Sequence, residues 1–295
     1  MTETRARVVS DHGGLGTLVR AALPSVPGIG SLPGVRKTGE AFERLTVARP
    51  PVTIQRPHVE AYAEVCGFPV KDTAPLTYPH LLAFPLHMAL MTDPAFPAPA
   101  MGMVHLENSI TQHRPLAVGE SLGVSAWVGP AKSHPKGEVF EFVTSIHAGA
   151  ADGELVWEST SAYLRRGQGD ASASRGLQLA DVSPGGTVWR LPGDLGRRYA
   201  AVSGDYNPIH LFPLTAKALG FKRQIAHGMW TKARSVAALE NRLPDAVRVD
   251  VAFRKPVFLP GKVAFGAAGF EDGYAFSLTK PGAETVHLLG RTTAL

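Results

Sequence analysis

Apolar and polar residues alternate along this chain with two different periods. Val247, Val249, Val251 and Phe253 take turns with Arg248, Asp250 and Ala252, the two-residue period of a strand that lays one face on a core. Further strand-like runs follow at 263–270, 274–279 and 285–289, separated by Gly, Asp and Pro. The first half repeats the theme at 104–111, 121–128, 138–146 and 155–164. Each set is paired with a segment rich in Met, Leu and Ala, at 80–91 and 227–239, that predicts a helix. A helix followed by an antiparallel meander, twice over, predicts an α+β fold in which each sheet wraps its helix.

The two halves also share short strings. Tyr62-Ala63-Glu64-Val65-Cys66-Gly67 is answered by Tyr199-Ala200-Ala201-Val202-Ser203-Gly204, and 113–120 is answered by 254–262. Two matches in one order with similar offsets predict a duplicated domain. Residues 166–185 are poor in apolar side chains and rich in small polar ones, the chemistry of a linker. The organisation expected is therefore an extension over 1–40, a first unit over 41–165, the linker, and a second unit over 186–295. Within the extension, Leu15, Leu18, Val19 and Ala22 predict a short helix, followed by a connector rich in Pro and Gly. Gly13-Gly14-Leu15-Gly16 lacks the preceding strand and following Lys of a phosphate loop.

Composition narrows the class. With 44% hydrophobic and 19% charged residues in 295, the chain is a globular protein able to bury a large core. The lone cysteine, Cys66, rules out an internal disulfide and suits a reducing compartment. No run of about 18 apolar residues is present, and residues 1–10 are polar, so a cytoplasmic protein without membrane insertion is expected. The formal charge is +5 and the pI about 9.4. The basic residues are scattered and do not form blocks, which points away from nucleic acid and fits either a basic surface or a small phosphate-bearing ligand.

The chemistry concentrates in Gly204-Asp205-Tyr206-Asn207-Pro208-Ile209-His210 and in His227-Gly228-Met229. Gly, Asp, Asn and Pro in close succession make a turn whose side chains fold back on the backbone. The turn runs from the Asp205 carboxylate to the His210 imidazole, so both groups can reach one small volume. On composition alone it is equally a capped turn before a helix. His227, beside Gly228 at a helix start, reads either as a catalytic residue or, more commonly at such a place, as one that satisfies its own local turn.

These strings resemble the signature of the MaoC-like, R-specific enoyl-thioester hydratases, the hydratase 2 family. The motif runs from Gly204 to Met229, and the strand pattern extends the likeness over 186–295. The resemblance implies a double hot-dog fold, each unit a long helix wrapped by a curved antiparallel sheet. It also implies a reaction: reversible hydration of trans-2-enoyl thioesters, or dehydration of (3R)-3-hydroxyacyl thioesters, in fatty-acid metabolism. Asp205 and His210 would be the acid/base pair, Asn207 would hold the turn, and a Gly228 N–H would bind the thioester oxygen. A glycine opening a helix supports that last role, because free N–H groups and the positive dipole end face outward there.

No further cofactor is expected, the substrate being carried on coenzyme A or an acyl carrier protein, and the resemblance implies a homodimer or a single chain equivalent to one. The histidines show no His-x-x-x-His spacing, so no metal is expected. Lys222, Arg223, Lys232, Arg254 and Lys255, with Arg234, are candidate ligands for carrier phosphates and equally candidates for ordinary surface charge. The first unit lacks the pair: Phe68 stands where Asp205 stands, and no Asn-Pro-x-His follows. It is expected to be non-catalytic. Its apolar helix reads first as core and second as an acyl channel. An acyl-thioester hydrolase on the same fold is the second enzymatic reading, weakened because hydrolysis needs no Asp-x-Asn-Pro-x-His turn. A non-catalytic acyl-binding protein is the third.

Overall fold

The computed structural model describes residues 7–9, 35–39, 42–183 and 185–295. The expected N-terminal helix and glycine cluster lie outside them. In chain order the strands are β1 (Arg7–Val8), β2 (Thr46–Thr53), β3 (Val104–Gln112), β4 (Ser121–Val128), β5 (Lys132–His134), β6 (Gly137–Ala148), β7 (Leu155–Arg166), β8 (Thr187–Leu191), β9 (Val247–Phe253), β10 (Gly261–Phe270), β11 (Gly273–Thr279) and β12 (Val286–Ala294). The α-helices are α1 (Arg56–Cys66), α2 (Pro79–Thr92), α3 (Leu195–Ser203), α4 (Pro208–Leu211), α5 (Pro213–Ala218) and α6 (Gly228–Ala237). The strands and long helices expected from periodicity are present, with ends moved by a few positions. Among the described residues no helix is long and apolar enough to cross a membrane.

By internal contacts the chain forms two compact units, each discontinuous in sequence. The first holds the described residues up to Thr53 with Pro79–Leu106 and Glu120–Gly176. Its strands run in the order β1-β2-β4-β6-β7, with β5 on β6. α2 packs on this sheet through its contacts with β2, β4 and β6. Leu81, Leu82, Leu86, Leu90 and Met91 are all buried, the pattern of a helix covered on most sides. Phe96 meets Phe140 and Phe142 edge-on or tilted, with centroids 5.1 and 5.5 Å apart. His87 is buried with Nε2 at 2.8 Å from Thr144 Oγ1, and burial pushes its pKa down to about 4.

β2 escapes the periodicity because Pro50 and Pro51 sit inside it. Neither can donate to a ladder, and the register against β4 slips between Arg49 and Val52 to let them through.

The second unit holds Ile54–Tyr78, Glu107–Gly119 and Leu177–Leu295, with strand order β3-β9-β12-β11-β10-β8, antiparallel throughout. α6 lies against β11 and β12. Val247, Val249 and Val251 are buried as the alternation predicts.

The repeated Tyr-Ala-x-Val-x-Gly string is the end of a helix in both places. α1 and α3 stop at Gly67 and Gly204, whose φ angles of 77° and 74° are left-handed, and each glycine N–H returns to an alanine carbonyl, Ala63 or Ala200. This is a C-terminal cap that glycine adopts without steric cost. The valine carbonyls of the two strings are capped alike. Trp230 Nε1–H donates to Val65 O at 2.9 Å, and His58 Nε2–H donates to Val202 O at 2.8 Å. Tyr78 Oη then donates to His58 Nδ1 at 2.9 Å. The other repeat is structural too, since isolated bridges pair Thr73 with Ala117 and Ile225 with Phe258.

A Cβ on Gly67 would lie 1.8 Å from Arg234 Nη1, whereas one on Gly204 meets nothing within 4 Å. Gly204→Ala is expected to cost about 1–2 kcal/mol from the left-handed backbone alone. Gly67→Ala should cost more, because Arg234 must also leave its seat. Urea unfolding of the two variants in parallel checks the order.

Candidate active site

The site is built on α3, α4 and the start of α6. α3 ends at Gly204 and the chain turns through a ladder of short local bonds. Asp205 N–H donates to Ser203 Oγ at 3.2 Å, Asn207 N–H to Asp205 Oδ1 at 3.1 Å, and Ile209 N–H to Asn207 Oδ1 at 3.3 Å. Asn207 is thus the N-cap of α4, with Pro208 in the first turn where its missing N–H costs nothing. These bonds deliver His210 into the interior, where it is 7% exposed. Gly196 makes room for it: a Cβ there would lie 1.9 Å from the His210 carbonyl oxygen.

His210 Nδ1 lies 2.8 Å from Ile225 O. A carbonyl only accepts, so Nδ1 carries the proton and neutral His210 presents Nε2 as a lone pair. Burial lowers its pKa, against the Asp205 charge and the Ile225 bond, which raise it. His227 stacks on His210 with centroids 3.7 Å apart and planes at 26°. His227 Nε2–H donates to the Asp205 carbonyl oxygen at 2.9 Å. Burial first, then His210, hold the His227 pKa well below the ordinary value. Asp205 keeps 28% of its side chain exposed, so the carboxylate stands at the open side. Gly228 opens α6 directly after His227 and is half-buried, with the Phe253 ring 3.2 Å from where a Cβ would be.

The ligand-capable atoms of Asp205, His210 and His227 lie within 4.8 Å of one another. Spacing along the chain could not foresee this group, since His227 comes from a separate helix start well beyond the turn. Within the group, His210 Nδ1 and His227 Nε2 are each engaged with a backbone carbonyl, of Ile225 and Asp205.

Of the expected phosphate ligands, Lys222, Arg223, Arg254 and Lys255 are exposed. Lys232 is a correction. It is fully buried, and its amino group donates to Asn108 O at 3.0 Å, Asn108 Oδ1 at 2.5 Å and Val249 O at 2.9 Å. Burial pushes its pKa well below the ordinary lysine value, and the amine is enclosed by these oxygens, so no external phosphate can reach it. Arg234 is likewise engaged: its guanidinium stacks on Trp189 at 4.5 Å and donates to Gly67 O at 3.2 Å. It serves the negative end of α1. Nothing in the sequence assigns a role to Gly196, His58 or Tyr78, and His227 reaches further than its own turn. Only the helix-breaking cost of a glycine beside Leu195 hints at Gly196.

A model of the MaoC-like domain matches residues 192–280. Over 290 residues the chain is 37% identical to 3-hydroxyacyl-thioester dehydratase X of Mycobacterium tuberculosis, covering 97% of this chain and all of that one. It is 33% identical over 69 residues to the mitochondrial 3-hydroxyacyl-[acyl-carrier-protein] dehydratase of Arabidopsis thaliana, 23% of this chain and 42% of that one. The crystal structure of HtdX from M. tuberculosis superimposes with a TM-score of 0.75 at 37% identity, covering 85% of this chain and all of that one. Fold and relatives together define a hydro-lyase on the hot-dog α+β fold. The chain belongs to the MaoC-like dehydratase family.

Removing the Lys232 amino group takes hydrogen bonds from two Asn108 oxygens and from the Val249 carbonyl in the core, and a buried acceptor left unmet costs about 1–3 kcal/mol. Lys232→Met is expected to lower stability by at least about 2 kcal/mol in urea unfolding. A surface phosphate ligand would show no such loss.

Proposed function

We propose that the chain interconverts trans-2-enoyl and (3R)-3-hydroxyacyl thioesters carried on coenzyme A or an acyl carrier protein, with no other cofactor. The observation that carries this reading is the tautomer lock on His210. Its Nδ1–H is held by Ile225 O, which leaves Nε2 as the basic nitrogen of an imidazole grouped within 4.8 Å of the Asp205 carboxylate.

In the hydration direction, His210 Nε2 takes a proton from water as the hydroxyl oxygen bonds to C3 of the enoyl group. The electron pair of the C2–C3 double bond moves onto the thioester carbonyl as an enolate. The imidazolium then returns the same proton to C2 and regains its lone pair. One group on one face does both steps, which makes the addition syn. Asp205 accepts a hydrogen bond from the second hydrogen of the water and steadies the imidazolium, while a Gly228 N–H at the start of α6 holds the enolate oxygen. Asn207 acts as the cap that sets the spacing of the pair. The reading assigns catalysis to a unit over 186–295 and a supporting role to a degenerate unit over 41–165. Carrier phosphates would meet Lys222, Arg223, Arg254 and Lys255. Buried, unpaired Cys66 fits a cytoplasmic enzyme.

Crotonyl coenzyme A tests the reading directly. Loss of enoyl absorbance with the thioester intact supports it, release of free thiol indicates the hydrolase, and neither change leaves an acyl-binding protein. Asp205→Asn and His210→Ala should each lower turnover by about two orders of magnitude or more with the fold intact; near-normal rates in either would overturn the assignment.

The pH profile offers a separate check. His210 must be neutral to act, so kcat/KM should fall as pH drops through its pKa. Burial places that inflection below the ordinary 6.5. The Asp205 charge raises the pKa, so the residual activity of Asp205→Asn should show an inflection lower still.

A further inference from the structure

The segment that carries the turn also carries an unusual surface. Ten large apolar side chains among the described residues are more than a third exposed, and four of them fall between 206 and 219: Tyr206 at 38%, Phe212 at 49%, Leu214 at 79% and Leu219 at 40%. Such a concentration is not the scatter of single apolar residues that any surface shows. The same stretch is basic. Arg197, Lys217, Lys222 and Arg223 are exposed, and none of them forms an ion pair among the described residues. The Arg197 guanidinium lies over the Phe212 ring at 4.9 Å while donating to Leu211 O at 2.9 Å, so charge and apolar surface are held together. Between 195 and 223 the only acidic residue is Asp205, which belongs to the site.

The position is as telling as the composition. α5 starts at Pro213, directly beyond the helix that carries His210, and the site opens on the side of Asp205 and Tyr206. A nucleotide phosphate would call for a few convergent donors at one point. Here positive charge is spread over Arg197, Lys217, Lys222 and Arg223, on and around a short helix, and interleaved with apolar side chains, the make-up of a protein-binding rim.

We propose that the exposed face of α5, Leu214 and Lys217 flanked by Phe212 and Leu219, is the docking surface for a small acidic protein that presents the acyl group on a flexible thioester arm. The inference rests on the hydro-lyase reading and selects, between the two carriers, the protein one. Leu214 and Lys217 belong neither to the turn nor to the acid/base pair, so charge reversal there leaves the chemistry in place.

The test compares one 3-hydroxyacyl group presented on an acyl carrier protein and on coenzyme A, using the full chain and its Leu214→Asp/Lys217→Glu variant. The variant should raise KM for the carrier-protein substrate by about tenfold or more, with kcat and the coenzyme A KM within about twofold of the parent. The parent's preference for the protein carrier should fall steeply between low and high salt. Equal KM changes for both carriers, or none for either, overturn the docking surface while the hydro-lyase reading stands. Failure of the parent on both carriers overturns the reading and the surface together.

Discussion

The hydrogen bond from His210 Nδ1 to the Ile225 carbonyl governs what the rest of the site can do. Without it the imidazole could turn either nitrogen toward Asp205, and its protonation would not be fixed. With it, one nitrogen is committed to structure and the other keeps its lone pair. Burial adds to this by disfavouring the imidazolium in the resting state, while the adjacent carboxylate limits how far the pKa falls. The bond exists because α4 enters the interior beside Gly196, where any side chain would collide with the His210 backbone.

The scaffold around the turn is held mainly by side chains that serve helix ends. His58 and Trp230 cap equivalent valine carbonyls on α3 and α1. Arg234 meets the last carbonyls of α1, and Lys232 ties α6 to β3 and β9 through its amino group. Bonds placed this way set the position of α6, and so of Gly228 and His227. Trp230, Lys232 and Arg234, alternate positions on one helix, are thus spoken for by the fold.

Much of this was legible in the chain. The period of two in 247–253 and the apolar runs of the first half identified their strands, because one buried face forces alternation. The Gly204–His210 string identified the turn, because its side chains bond mainly to their own neighbours. What was hidden needed three dimensions. β2 was masked by Pro50 and Pro51, which break the pattern without ending the strand. Lys232 looked like a surface cation because sequence records a charge and not the carbonyls that surround it. The pairing of His227 with His210 depends on how the intervening segment returns the start of α6 to the turn, which no local spacing encodes. The repeat revealed two copies of a string, and gave no sign that 54–78 and 107–119 cluster with the C-terminal half.

The glycine stops at the ends of α1 and α3 carry one further consequence. At each stop the glycine N–H bonds back into the helix's own last turn, so the helix ends in the same way whatever the chain does next. After Gly204 come the local bonds that place a carboxylate beside an imidazole; after Gly67 the chain simply runs on through Phe68 and Pro69. The same terminator tolerates either continuation. A boundary of this kind lets the segment after a helix diverge while the helix end is kept, so one chain can hold two copies of the terminator and only one turn that sets a carboxylate near an imidazole.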